Sequence, residues 1–437
     1  MEIMRNVFFD VTGWCRKYPY IAFLIFVGII LFLRYPKYGR SDSSKIEKAQ
    51  DYVQSTVSKD FENDNIKAGG TCDMDEYHSS NRRICDIVMH YVNQGSRVPS
   101  TISDQLSHNT DCRIEKVEKS CLDIRNAFIY RKSTSEFENS DFPLAYGIKI
   151  HTNANQAFRL LRYIYTPKDV FCIHVDGKAP PKIFHSFKRI QKCFNNIVVI
   201  NEPVTVIYSS IRQVEAEMKC LKAVRTSHVK WKYYINLTGQ EFMLKTRSEI
   251  VQFLKILNGS NDIESYQIPA GELHRLGQVH TIGNNKIYRT KQQKIPFHID
   301  IKMQKGSAYG MFSRDFVDFV LDHVFVKVFM KWLEDTYAPE EIIWATLNAL
   351  PSTPGGDIEQ RRYSNGKYHS RAVIWRSDKS KSCSGKYVHN VCVYGVGDLP
   401  WLLDNKYMVA NKFYEDYEPA ALTCLESAMY DKLSTGA

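Results

Sequence analysis

Residues 144–150 read Leu-Ala-Tyr-Gly-Ile-Lys-Ile, residues 170–175 Val-Phe-Cys-Ile-His-Val, and residues 233–237 Tyr-Tyr-Ile-Asn-Leu. Each is a short, nearly continuous apolar run, the pattern of a strand buried on both faces. Between them the apolar spacing becomes helical. Phe158, Leu160, Leu161 and Ile164 predict a helix over 155–164, and helices are also predicted over 183–193 and 211–224, with a further strand over 197–200. Strands alternating with helices at this spacing predict an α/β fold with a parallel sheet. Ligands of such sheets bind outside the carboxyl ends of the strands. Asp176-Gly177-Lys178 occupies one such end, and Gly239-Gln240-Glu241 another.

Around this segment the chain has 437 residues, enough for two or three domains. Its 44% hydrophobic and 24% charged residues are ordinary globular composition, which excludes a disordered, collagen-like or polytopic membrane protein. The formal charge is +10, of which the first forty residues supply +4. The remainder is spread too thinly for a nucleic-acid footprint but suits an anionic small substrate. Tyr18 to Leu33 is uncharged and apolar, and no small-residue cleavage site follows it. Ten cysteines come after it, with no Cys-x-x-Cys pair among them. An even, dispersed set behind a hydrophobic segment predicts an oxidising lumen and disulfides. The expected organisation is a cytosolic tail over 1–17, a transmembrane signal anchor over 18–33 and a stem over 34–70. A cysteine-rich lumenal region of loops and helix follows over 71–141, then a catalytic domain over 142–437.

Two acidic strings invite a chemical reading. Asp73-Met74-Asp75 has the Asp-x-Asp form that can hold a divalent cation, but it precedes the α/β segment and is read as a surface coincidence. Ala338-Pro339-Glu340-Glu341 stands before the apolar run Ile342-Ile343-Trp344. By pattern alone it is a helix start, with Pro in the first turn and two solvated acids favoured by the helix dipole.

A set of ordered blocks adds more. Phe142-Pro-Leu-Ala-Tyr-Gly147, Tyr165-Thr-Pro167, Cys172-Ile-His-Val-Asp176 and Trp231-Lys-Tyr-Tyr-Ile-Asn-Leu-Thr-Gly239 come first. Gly306-Ser-Ala-Tyr309, Asp335-Thr-Tyr-Ala-Pro-Glu-Glu341, Trp344-Ala-Thr346, Cys392-Val-Tyr-Gly-Val-Gly-Asp398 and Ala410-Asn-Lys-Phe413 follow. Together they resemble the core 2/I-branching β-1,6-N-acetylglucosaminyltransferases, type II Golgi membrane enzymes that extend mucin-type O-glycans. The resemblance runs from about Phe142 to Cys424 and implies a nucleotide-sugar-binding, Rossmann-like α/β domain of the GT-A type, inverting and metal-independent.

The resemblance implies roles residue by residue. Glu341 aligns with the family's catalytic base, leaving Glu340 to the helix dipole. Lys149, Ile150, His151, Asp176, Gly177, Lys178 and Tyr208 align with donor contacts. Lys412 matches one of two basic residues that stabilise departing UDP; His389 stands where the second, an Arg, is expected, with Arg371 or Arg376 as compensating candidates. Glu264, Arg275 and Trp375 match the acceptor side, and a further family Lys is replaced by Glu272. For Trp375, plain core packing is an equal reading. By position Cys121 pairs with Cys193, Cys172 with Cys220 and Cys383 with Cys392. Cys424 would pair with Cys72 or Cys85, leaving two of Cys72, Cys85 and Cys112 for another bridge. Asn258 is the better glycosylation site, since Asn236-Leu-Thr238 lies at a buried strand end.

The implied function is inverting β-1,6 transfer from a UDP-sugar, foremost UDP-N-acetylglucosamine, to core 1 O-glycans. UDP-glucose as donor, or an inactive glycan-binding membrane protein, are the alternatives. Partners are then the UDP-sugar, an O-glycan acceptor on glycoproteins and the membrane, with no nucleic acid, no metal and no cofactor; homo-oligomerisation is left open.

Overall fold

Helix α1 (Met74–Asn93) and the shorter α2 (Cys121–Phe128) precede the sheet. β1 (Leu144–Ile150) leads through α3 (Ala154–Ile164) to β2 (Val170–Val175), and α4 (Pro181–Cys193) leads to β3 (Ile197–Val199). α5 (Arg212–Arg225), β4 (Tyr233–Thr238), β5 (Glu241–Met243), α6 (Arg247–Leu257), β6 (Asp262–Ile263) and β7 (Tyr266–Gln267) follow. A hairpin of β8 (Gln278–Gly283) and β9 (Lys286–Gln293) comes before β10 (Gln304–Lys305) and β11 (Gly310–Ser313). Then come α7 (Arg314–Asp322), α8 (Val324–Trp332) and α9 (Glu340–Ala349). The C-terminal part holds β12 (Arg371–Ala372), the hairpin β13 (Lys386–Val388) and β14 (Val391–Val393), β15 (Val409–Asn411) and α10 (Pro419–Thr435). These elements come from a computed structural model describing residues 72–102, 106, 112–128, 141–358 and 367–435. The expected tail 1–17, signal anchor 18–33 and stem 34–70 lie outside the described residues. No helix among the described residues is long and apolar enough to cross a membrane.

The central sheet runs β3-β2-β1-β4-β11-β6. Its first four strands are parallel, as the sequence predicts, while β11 runs antiparallel to β4 and β6 antiparallel to β11. Burial on both faces explains the unbroken apolar runs: every residue of β2 is buried, and all of β1 except Lys149. The predicted helix over 155–164 starts one residue earlier because Asn153 caps it, accepting from Gln156 N at 2.9 Å. A second sheet, β12-β15-β5, joins the C-terminal segment to the chain after β4. Its cross-links are buried: the Glu241 carboxylate takes Asn411 Nδ2 at 2.7 Å and Arg371 Nε at 2.8 Å. Glu241, expected at a ligand-binding strand end, is therefore a structural anchor.

The cysteine-rich region, expected as loops and helix, holds a long helix. α1 is twenty residues long, and its buried face carries Met74, Tyr77, His78, Asn81, Cys85 and Val88 at helical spacing. The polar members of that face hide the period. Asp73, the first residue of the Asp-x-Asp string, is the helix cap and accepts from Asp75 N and Glu76 N. On the far side Tyr77 donates to Glu426, a buried carboxylate of α10 that also takes Arg159 and Arg162 of α3 at 2.6 and 2.8 Å. Burial alone would raise Glu426, but the two guanidinium groups hold it down at about 2. The disulfide Cys85–Cys424 fastens α1 to α10, and Cys72–Cys112 closes the same region. Cys121–Cys193, Cys172–Cys220 and Cys383–Cys392 are the pairs that the resemblance implies. Asn236 is fully buried and bonded to Ala308 O and Gly310 N, so its sequon has no room for a glycan. Asn258 is exposed at the end of α6.

Candidate active site

α9 begins directly after Pro339, and its first two residues meet different surroundings. The Glu340 side chain is only 7% exposed. Its Oε1 accepts from Gln213 Nε2 of α5, and its buried Oε2 has no hydrogen-bond partner among the described residues. Burial pushes Glu340 up to about 8, and the neighbouring Glu341 charge adds to this against Lys149 and Arg275. The expectation of a solvated dipole residue is corrected: Glu340 is buried, and its surroundings favour the neutral acid.

Glu341 is partly open and charge-paired. Its Oε2 lies 2.7 Å from Arg275 Nη1 and 3.4 Å from Lys305 Nζ. Its Oε1 makes no hydrogen bond or ion pair among the described residues. Lys305 is carried by β10, which is pinned to α9 where Gln304 N donates to Thr346 Oγ1 at 3.0 Å. Gly306 N donates to Glu341 O at 2.9 Å, and a Cβ at Gly306 would fall 1.7 Å from Glu264 O. Only glycine allows that approach, which brings Glu264, Lys305 and Glu341 side by side. Burial raises Glu264, with Lys305 opposing. Glu272, where the resemblance leads one to expect a lysine, lies 2.8 Å from Arg275 Nη2 and 2.9 Å from Lys305 Nζ. The reversed charge is met by Arg275, three residues on, and by Lys305 of β10.

The donor candidates gather at the carboxyl ends of β1 and β2. Asp176 is buried and holds the turn, accepting from Lys178 N and Val206 N at 3.1 Å. A Cβ on Gly177 would meet Thr205 Oγ1 at 2.8 Å. Ile150 is buried and contributes its carbonyl, which takes Asp176 N at 2.7 Å. Lys149 is tied to the buried Glu217, so part of its charge serves the core. Partial desolvation lowers His151, with Lys412 and Lys178 adding and Asp176 opposing. Burial also lowers Lys412, whose amino group lies 5.3 Å from the Tyr414 ring. Cations of two separate chain segments thus bear on one imidazole, an arrangement that suits an anionic group.

His389 and Asn390 form the β13–β14 turn, both at positive φ. The His389 ring lies 4.9 Å from that of Tyr208, which is itself 57% exposed. Desolvation raises Tyr208, and the charges of Glu340 and Glu341 contribute. Ala338 N donates to Ser209 O at 2.7 Å, so the Tyr208 loop and the start of α9 are joined. Trp375 pairs its backbone with Val391 beside this turn and is 48% exposed, which removes the core-packing reading. Arg371 is corrected as a compensating phosphate cation: it is buried on Glu241 and stacks 4.9 Å from Tyr309. Arg376 remains beside the turn, its N donating to Asn390 O at 2.8 Å. Lys305, Gln213 and Glu217 were not singled out by the sequence; Lys305 directly precedes the Gly306-Ser-Ala-Tyr309 block, which was the available signal.

A partly open carboxylate beside cations, exposed aromatic rings and cationic strand ends can bind a sugar and a diphosphate and accept a proton. Residues 144–403 match the family model described as Core-2/I-Branching enzyme. The chain is 33% identical over 346 residues to a rat (Rattus norvegicus) β-1,3-galactosyl-O-glycosyl-glycoprotein β-1,6-N-acetylglucosaminyltransferase 3, covering 77% of each chain. It is 35% identical over 305 residues to a human (Homo sapiens) β-1,3-galactosyl-O-glycosyl-glycoprotein β-1,6-N-acetylglucosaminyltransferase, covering 68% of this chain and 71% of that one. A mouse (Mus musculus) N-acetyllactosaminide β-1,6-N-acetylglucosaminyl-transferase is 36% identical over 319 residues, 72% of this chain and 79% of the relative.

Proposed function

The chain belongs to the core-2/I-branching enzyme family and is a glycosyltransferase, and from that premise we propose that it transfers N-acetylglucosamine from UDP-N-acetylglucosamine to the 6-hydroxyl of a core 1 O-glycan, with inversion. The observation that carries this reading is Glu341 at the start of α9, one oxygen held by Arg275 and Lys305 and the other without a partner among the described residues, with Glu264 alongside.

Glu341 takes the proton of the acceptor hydroxyl as that oxygen bonds to the sugar C1, and the bond from C1 to the diphosphate oxygen breaks with its electrons leaving on UDP. Glu264, Arg275 and Trp375 orient the acceptor. Asp176, Gly177, Lys178, Lys149, Ile150, His151 and Tyr208 shape the donor cleft. Lys412, with His389 on the β13–β14 turn, offsets the charge of the leaving group. The electrostatic work is then done by side chains and needs no divalent cation. Among the described residues the one cluster with metal-ligand character, Cys383, Cys392 and Asp398, has both cysteines in a disulfide.

The uncharged run 18–33 and the five disulfides support a type II Golgi membrane enzyme with its catalytic domain in the lumen. The exposed Asn258 suits a lumenal N-glycan. The test is incubation of the purified chain with Galβ1-3GalNAc-O-aryl and a panel of UDP-sugars, with the product linkage read by NMR. A β-1,6-linked N-acetylglucosamine is expected; transfer from another UDP-sugar alone, or to another hydroxyl, overturns the reading.

A further inference from the structure

The two cations on Glu341 are not its alone. Arg275 Nη1 and Lys305 Nζ address the same oxygen, Oε2, at 2.7 and 3.4 Å. On their other side stands Glu272, 2.8 Å from Arg275 Nη2 and 2.9 Å from Lys305 Nζ. The four side chains close a ring of alternating charge, Glu341–Arg275–Glu272–Lys305, in which each cation lies between two carboxylates. Arg275 and Lys305 are each 14% exposed, so the ring is only partly screened by water. Among the described residues, the other groups that interact with Glu341 include Glu340 on its own helix, Glu264 across Gly306, Tyr266 on β7 and Tyr208 on the loop before α5. None of these is a cation. The base therefore owes its positive surroundings to Arg275 and Lys305, and Glu272 is the carboxylate that divides their attraction.

Two cations on one carboxylate would fix its orientation but also favour its charged form, and so weaken it as a proton acceptor. A second carboxylate keeps the orientation and restores the basicity. We propose that Glu272 and Lys305 are positioning residues for the transfer: Lys305, with Arg275, locks Oε2 so that Oε1 is left for the acceptor hydroxyl, and Glu272 offsets their charge so that Glu341 still accepts the proton. This rests on the reading of Glu341 as the base.

The ring makes opposite demands on the two residues, and a pH profile separates them. The experiment measures kcat/KM against pH for the detergent-solubilised full chain, wild type and Glu272→Gln, Lys305→Met and the double variant. Glu272→Gln leaves two cations on the one carboxylate of Glu341, so the acid limb moves to lower pH, by about half a unit to one unit, and the plateau falls. Lys305→Met removes one cation, and the limb moves to higher pH by a similar amount. In the double variant the limb returns close to the wild-type position. Limbs that stay in place while only the plateaus change, or that move in the same direction in both single variants, overturn the proposal. If Glu272→Gln does not fold, Lys305→Met and Glu272→Asp carry the test, the latter expected to keep the wild-type limb. A fully active Glu341→Gln would instead remove the base reading itself, a result distinct from unmoved limbs in the presence of an inactive Glu341→Gln.

Discussion

Burial of Glu340 predicts that it carries a proton in the folded chain and loses it on unfolding at neutral pH, and the Glu340→Gln variant tests this. Burial of the carboxyl, with one oxygen on Gln213 and the other without a partner among the described residues, raises the group from its ordinary 4.5 to about 8. Between those values the native state binds the proton and the unfolded state does not, so stability falls as pH rises. The contribution is fully present below about 4.5 and is lost as pH climbs through 8, at a limiting slope of about 1.4 kcal/mol per pH unit. Relaxation around an ionised Glu340 reduces the total, which we set at a few kcal/mol. Gln fixes the neutral form with nearly the same shape. The stability of Glu340→Gln relative to wild type should therefore be near zero at pH 4.5 and rise by a few kcal/mol toward pH 8. The measurement is guanidinium unfolding of both proteins, disulfides intact, at pH 5, 6, 7 and 8; other titrating groups cancel in the difference. Activity near pH 6.5 should match wild type, because both side chains are neutral there. A difference that does not change with pH would refute the buried proton, as would a variant less stable throughout.

Transfer should persist in excess EDTA if Lys412 and His389 offset the leaving-group charge as proposed; loss of activity that manganese restores would contradict this. His389→Arg should lower KM for the UDP-sugar, since a guanidinium is always charged and binds phosphate bidentately; steady-state kinetics with donor varied checks it. Replacing Cys85 and Cys424 together by Ser should destabilise the chain by about 2–5 kcal/mol, seen as an earlier unfolding midpoint, because that bridge joins α1 to α10.

The parallel strands were legible because each is buried on both faces and so spells an apolar run, as in Val170-Phe-Cys-Ile-His-Val175. β6, β10, β12 and β15 were not, since two or three residues carry no period and their place is set by partners far along the chain. A helix was expected near α1, but its bounds were not legible because His78 and Asn81 occupy its buried face. At the site, the sequence pointed to the start of α9 but could not separate two adjacent acids by environment. Glu340 faces α5 and is buried, while Glu341 faces Arg275 and Lys305. Arg371 was offered for the phosphates on proximity in sequence to His389; its partner Glu241 is 130 residues away and invisible to local reading.

The central claim is that Glu341 is the proton acceptor of an inverting β-1,6 transfer, and Glu341→Gln tests it most directly. Gln keeps the size of the side chain and the helix start, and Arg275 and Lys305 remain paired with Glu272. Initial rates with UDP-N-acetylglucosamine and Galβ1-3GalNAc-O-aryl should fall by about a hundredfold to ten-thousandfold, while UDP-sugar affinity by calorimetry stays within about threefold. A Glu341→Gln enzyme that transfers at the wild-type rate would contradict the account.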